Sequence, residues 1–211
     1  MATAAPQSER AWWLRTLLVL QAPRAVFAAL RDDTREAAAA RSEPVLAIIL
    51  LAGIAGVLAT RTAGRLMDDG TYDATLVAVW AFLAGGLYGG TAYWLGGGLL
   101  HRGVHALGSA GSYRRSRHVL TFAAVPIAFS LVLLPAKLAL YGADVFHLGG
   151  RDRGTGGEIF ALAQAAFVAW SAVLLVIGVR VVHGWSWART GAALTATAAL
   201  PVTLALAVMF L

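Results

Sequence analysis

Five strongly apolar stretches of membrane-spanning length, at residues 44–60, 74–100, 119–142, 159–179 and 190–211, leave this chain few folds to choose from. A bilayer core of about 30 Å needs about 20 apolar residues rising 1.5 Å each, so all five are long enough, the first narrowly. Backbone placed in hydrocarbon must satisfy its own N–H and C=O groups, which a helix does within one segment. The expected fold class is therefore all-α: a polytopic integral membrane protein with five transmembrane helices. Residues 1–43 read as a cytoplasmic, interfacial N-terminal segment and residues 44–211 as the five-span membrane domain.

Composition points the same way. A content of 59% apolar and 13% charged residues is that of a chain solvated mainly by lipid. Without cysteine there is no disulfide, thiolate metal site or cysteine nucleophile. The formal charge of +6 is carried by arginines flanking apolar runs, with Lys137 the single lysine. That distribution suits anionic headgroups. No basic cluster interleaved with aromatics on a soluble surface is present, which argues against a nucleic-acid partner.

Counting lysines and arginines loop by loop orients the spans. Arg10, Arg15, Arg24, Arg31, Arg35 and Arg41 precede the first span; Arg102, Arg114, Arg115 and Arg117 occupy the second loop, which has no acid; Arg180 and Arg189 flank the fourth. Opposite them lie Arg61 and Arg65, then Arg151 and Arg153, among Asp68, Asp69, Asp73, Asp144, Asp152 and Glu158. Twelve basic residues against four place the N-terminus in the cytoplasm and the C-terminus outside.

The run Trp12–Leu20 is interrupted by Arg15 and is too short to span, so no cleavable signal peptide is expected. Trp12, Trp13, Thr16, Leu17 and Leu20 share one side of a helix with Arg10 and Arg15 nearby, a pattern for a helix lying on the inner leaflet up to Pro23. A second short helix over 24–41 turns Val26, Phe27 and Leu30 inward and leaves the run Arg31-Asp32-Asp33-Thr34-Arg35-Glu36 exposed, as a solvated face or a docking surface. Ser42 before Pro44, Thr155 with Glu158, and Ser186 are the expected caps of the first, fourth and fifth spans.

Two spans carry more than length. In the second, Ala81, Gly85, Gly89 and Gly97 recur at multiples of four, with Gly86 and Gly90 in a parallel row. Small residues at that spacing let another helix approach closely, within the monomer or between copies. In the third, Pro126 and Pro135 each remove an amide and release the carbonyls of Phe122 and Leu131. Broken helices of this kind form cation and substrate sites in transporters. Lys137, the one charge well inside a span, lies on the same face as Asp144, seven residues on; it snorkels to the outer interface, paired with Asp144, or serves transport.

Little else suggests chemistry. His101 and His105 share a helical face without a glutamate to complete a zinc-protease pattern, so no metal is expected. No catalytic residue, cofactor or nucleophile–base pair stands out, and the reading is of a non-enzyme.

The second loop carries a resemblance. Gly108-Ser109-Ala110-Gly111-Ser112-Tyr113-Arg114-Arg115, leading into His118-Val119-Leu120-Thr121-Phe122-Ala123-Ala124-Val125-Pro126, resembles the glycine/serine, basic and proline-terminated signature of the Yip-domain family, membrane proteins named for interacting with Ypt/Rab GTPases. Pro23 through Leu30, and Trp170 through Val182 followed by His183-Gly184-Trp185-Ser186, resemble two further segments, so the resemblance covers about residues 22–210. It implies a five-helix membrane domain with a cytoplasmic N-terminus, of bacterial type, in the cell inner membrane. The carry-over to Gly111, Tyr113, Arg114, Arg115 and Pro126 is structural. The function expected is a non-enzymatic scaffold or accessory subunit. Its partners would be membrane lipid and another integral membrane protein, an exporter among the options, with self-association as a further use of the glycine faces. Trp12, Trp13, Arg114, Arg115 and Arg117 are the residues expected to meet lipid or partner. The alternative is a transporter or channel for a small solute or ion, using Pro126, Pro135, Lys137 and Asp144.

Overall fold

The computed structural model describes residues 5–209, and in it the side chains of 1–10, 153, 200, 202 and 204–211 are outside the description. The side chains of Arg10 and Arg153, used in the charge count, and Phe210 and Leu211 of the fifth apolar stretch therefore lie outside the described residues.

Among the described residues the fold is all-α. In chain order the helices are α1 (Ala5–Leu18), α2 (Pro23–Ala29), α3 (Arg35–Ala40), α4 (Ser42–Leu58), α5 (Ala74–Thr91), α6 (Gly97–Ala106), α7 (Tyr113–Ala123), α8 (Val125–Phe129), α9 (Leu133–Tyr141), α10 (Thr155–His183) and α11 (Trp187–Met209). A π turn, Ala92–Gly96, joins α5 to α6, and a 3-10 turn, Ser130–Val132, joins α8 to α9. Among the described residues three helical runs are long and apolar enough to cross a membrane: Ala74–Ala106, Tyr113–Phe146 and Thr155–His183. They contain the second, third and fourth apolar stretches. α4, at 17 residues, is a shorter apolar helix.

Local chemistry sets most boundaries. Pro23 sits in the first turn of α2, where its missing N–H costs nothing. The Thr34 hydroxyl accepts from Ala37 N at 3.2 Å to cap α3, and Asp73 accepts from Leu76 N at 2.8 Å to cap α5. Ser186 accepts from Arg189 N at 3.3 Å, the cap expected for α11. Two expected caps are different. α4 begins on Ser42 itself, whose hydroxyl instead donates to the Ala39 carbonyl at 2.8 Å. α10 likewise includes Thr155 as its first residue. The third apolar stretch is segmented where its prolines fall: Pro126 is in the first turn of α8 and Pro135 near the start of α9.

The chain divides into two compact units. The first gathers residues 1–45, 92–123 and 173–211. Its interior holds Val19, Phe27, Leu30, Leu100, Val104, Phe122, Leu174 and Ala193. α6 and α11 approach closely at Gly103, where a Cβ would lie 2.7 Å from the Ala193 carbonyl oxygen.

The second unit comprises residues 46–91 and 124–172. Its apolar cluster is Leu66, Val77, Val145 and Phe146, flanked by Leu58, Trp80, Leu134 and Tyr141. Here the glycine row of α5 meets α4. A Cβ on Gly85 would sit 2.7 Å from Ile54 Cα, one on Gly53 would sit 2.8 Å from Gly89 N, and Gly89 faces the Ile49 carbonyl. Ala81, Gly85 and Gly89 are buried on this face. The structure thus places all four small residues in packing within the chain: Ala81, Gly85 and Gly89 in the second unit, and Gly97 in the first against Arg117.

Candidate functional site

The first unit has a polar centre built around Arg41, whose side chain is fully buried. An arginine keeps its charge almost anywhere, so burying it requires acceptors for its fork of donors. Arg41 Nε donates to His118 Nδ1 at 2.8 Å and Nη1 to the Asp32 carbonyl at 2.9 Å, while Nη2 lies 3.4 Å from Asp33 Oδ1. The guanidinium also lies 5.5 Å from the Trp12 ring centroid. Accepting from Arg41 leaves His118 Nδ1 without a proton. Burial lowers the proton affinity of Arg41, and Asp33 opposes that.

Asp33 is the hub. Its Oδ1 accepts from Arg114 Nε at 2.9 Å, its Oδ2 from the Ser112 hydroxyl, and its carbonyl from Arg114 Nη2. Burial pushes the Asp33 carboxyl up, but the hydrogen bonds from Ser112 and Arg114 and the charges of Arg114 and Arg115 outweigh it. The net result is a carboxyl below the usual range. A folded-state value below the unfolded one stabilises the protein above the ordinary carboxylate range, and that contribution disappears as pH falls through the lowered value. Solubilised protein is accordingly expected to lose unfolding temperature below about pH 4. Asp33→Asn should show a flatter acid limb; an unchanged limb would remove Asp33 from this role.

Arg117, one turn into α7, is enclosed by rings: its guanidinium carbon lies 4.0 Å from the centroid of Trp94, 4.5 Å from Tyr113 and 4.8 Å from Tyr93. Consecutive residues on an α-helix point about 100° apart. The π turn lets neighbouring Tyr93 and Trp94 both reach one cation. Tyr113 Oη donates to the Trp94 carbonyl at 2.6 Å and locks α7 onto that turn.

These contacts change three sequence expectations. Arg114, Arg115 and Arg117 do not form a free basic loop: they lie in α7, with Arg114 held by Asp33, Arg115 Nη2 donating to the Arg31 carbonyl at 2.9 Å, and Arg117 caged. The run from Arg31 to Glu36 is not wholly solvated, because Asp33 is only 10% exposed. Trp12 does not face lipid. It is buried against Phe122, with ring centroids 5.5 Å apart, because Trp12 and Thr16 form the inward face of α1, continued by Val19 just beyond its end. Trp13, Leu14, Leu17 and Leu18 form the exposed face. Sequence reasoning missed Arg41, Asp33 and His118; the signal available was a histidine one helical turn after Arg114 with no acid nearby in sequence.

The second unit holds a cavity of about 410 Å³. Its polar lining is Thr60, Arg61, Ser130, Lys137, Asp152 and Gln164, against Leu58, Leu134, Phe146 and Phe160. Lys137 Nζ lies 3.5 Å from Asp152 Oδ2, and Gln164 Nε2 donates to Ser130 Oγ at 3.0 Å. The expected partner of Lys137 is therefore corrected: Asp144 pairs with Arg151 at 2.6 Å, and Asp152 takes the lysine. Pro135 and Lys137 both belong to α9, and Pro126 stands at the head of α8. Among the described residues no group of three or more His, Asp or Glu side chains could hold a metal ion, and His101 and His105 pair only as rings 4.5 Å apart.

The family model for the Yip1 domain matches residues 17–210. No curated protein and no solved structure matches the chain.

Proposed function

The chain belongs to the Yip1 domain family and is a multi-pass membrane protein, and from that premise we propose that it works as a non-enzymatic scaffold or accessory subunit. In this reading α4 and α11 join the three longer runs as five spans, with the N-terminus in the cytoplasm of a bacterium, the C-terminus outside and the plasma membrane as the location. The partners are inner-leaflet lipid and another integral membrane protein, such as an exporter subunit.

One observation carries the proposal. The Arg41–Asp33–Arg114 network ties the segment before the first span to the start of α7, holding α1 with its apolar face of Trp13, Leu14, Leu17 and Leu18 turned outward. A face of that composition beside Arg15 suits the headgroup boundary or a partner helix lying there. Tagged protein recovered from native membranes in mild detergent is expected to bring down a stoichiometric membrane partner. Trp13→Ser with Leu17→Ser should reduce partner or lipid recovery while the far-UV spectrum stays unchanged. Recovery of the bare protein, with the double variant indistinguishable, would defeat the reading.

The cavity beside Lys137 favours a second reading, passage of a small solute or ion. Under the scaffold reading, Lys137→Met leaves partner recovery intact, and liposomes of the pure protein show no flux. Flux that Lys137→Met abolishes in a folded protein would reverse the preference.

A further inference from the structure

Away from Asp33, the first unit assembles cations that lack acids. Arg31 donates through Nε to the Val181 carbonyl at 3.1 Å, and Arg115 through Nη2 to the Arg31 carbonyl. Arg189 donates through Nε to the Leu107 carbonyl at 3.0 Å and stacks 4.5 Å from the Trp185 centroid. The Trp185 ring is 4.7 Å from that of His183, and the positive charges acting on His183 are those of Arg115, Arg189 and Arg31. Among the described residues none of these three arginines forms an ion pair with a carboxylate. Asp33, whose charge reaches Arg115, is already engaged by Arg41, Arg114 and Ser112.

The group also has unused hydrogen-bonding capacity. Arg115 Nε and both ring nitrogens of His183 are buried without a partner. Buried donors are ordinarily paired, so Arg115 Nε and the N–H of the His183 ring, left without acceptors among three cations, call for an acceptor that an anion would supply. Guanidinium forks match the oxygen spacing of phosphate and carboxylate. Position selects between those two. Arg115 lies in the first turn of the run Tyr113–Phe146, His183 ends the run Thr155–His183, and Leu107 follows the run Ala74–Ala106. The cluster therefore gathers one end of all three membrane-crossing runs, the depth of the lipid phosphates, and Trp185 and the exposed Trp187 suit that interface.

We propose that Arg31, Arg115, His183 and Arg189 form a binding site for a phosphate group, supplied by the headgroup of an anionic phospholipid. Only the source of the phosphate rests on the inner-leaflet reading above.

The test is native mass spectrometry of the detergent-purified full chain titrated with phosphatidylglycerol, phosphatidylcholine or inorganic phosphate. Wild-type protein should retain phosphatidylglycerol in preference to phosphatidylcholine. Arg115→Gln and Arg189→Gln should each weaken that retention about fivefold. Because Arg189 also holds the Leu107 carbonyl, His183→Phe is the second kind of variant: it keeps the ring against Trp185 and removes the nitrogens. It should weaken retention, while Arg35→Gln, exposed on α3, should not. Binding of inorganic phosphate with no preference for phosphatidylglycerol, lost in the same variants, would support the site and replace its source. Equal retention across wild type and all variants, or equal loss in Arg35→Gln, would overturn the proposal. Partner recovery, measured on the same variants, fails or survives independently of lipid retention and so reports separately on the scaffold reading.

Discussion

Replacing Arg41 with methionine is expected to destabilise the protein by about 3–5 kcal/mol, the largest single-residue effect from a charge in this chain. The side chain is fully buried, so its loss leaves Asp33 a buried carboxylate with one cation fewer, and His118 Nδ1 and the Asp32 carbonyl without their donor. Lysine should not rescue, because a single ammonium on a flexible stem cannot serve His118, Asp32 and Asp33 in the directions the fork does. Combining Arg41→Met with Asp33→Asn should recover part of the loss, since the orphaned charge goes with it. Size-exclusion profiles after stepwise heating in detergent would rank the four proteins. If Arg41→Met melted with the wild type, the network would be a surface ornament.

A second large effect is expected from adding one carbon at Gly85. Its Cβ would fall 2.7 Å from Ile54 Cα and 2.8 Å from Ile54 N, backbone atoms that cannot rotate away, so Gly85→Ala must push α4 from α5. Overpacking of this kind typically costs about 1–3 kcal/mol, and replacement by leucine more. Gly53→Ala and Gly89→Ala should behave alike, each meeting carbonyl groups across the same seam. The neighbouring row supplies the contrast. Gly90 has open space beside it and Gly86 only the Leu50 side chain at 3.8 Å, so alanine there should be neutral or mildly stabilising through helix propensity. Folded yield in detergent would separate the rows. Equal tolerance at Gly85 and Gly90 would mean that the seam is loose.

The difference between those two rows was legible in the sequence only as a spacing. Repeats of four mark a face but do not say which face meets a helix, or whether that helix belongs to the same chain. The segmentation of the third apolar stretch was more readable, because proline acts on its own backbone and needs no distant partner. The polar centre was the reverse case. Arg41 meets His118 across 77 positions and Asp33 meets Arg114 across 81, and no local rule pairs them. Charge counting treated Arg41 and Arg114 as equivalent flanks, whereas burial and a shared carboxylate make them structural. Lys137 was found as unusual because one charge in an apolar run is conspicuous. Its partner was misjudged because helical spacing favoured Asp144 over Asp152, which reaches it from the 3-10 turn Arg151–Arg153.

The π turn at Ala92–Gly96 sets the rotational phase of everything after it on its helix. Each such widening takes one extra residue into a turn, so the helix beyond it keeps the phase of a regular helix one residue shorter. Deleting a single residue there would restore a regular helix and leave Gly97 facing Arg117 and Gly103 facing α11, whereas a deletion within α6 would turn one of these contacts by about 100° against the other. Loss of one of these five positions thus keeps both helix contacts in phase and falls instead on the paired rings, Tyr93 and Trp94, that the turn brings to Arg117.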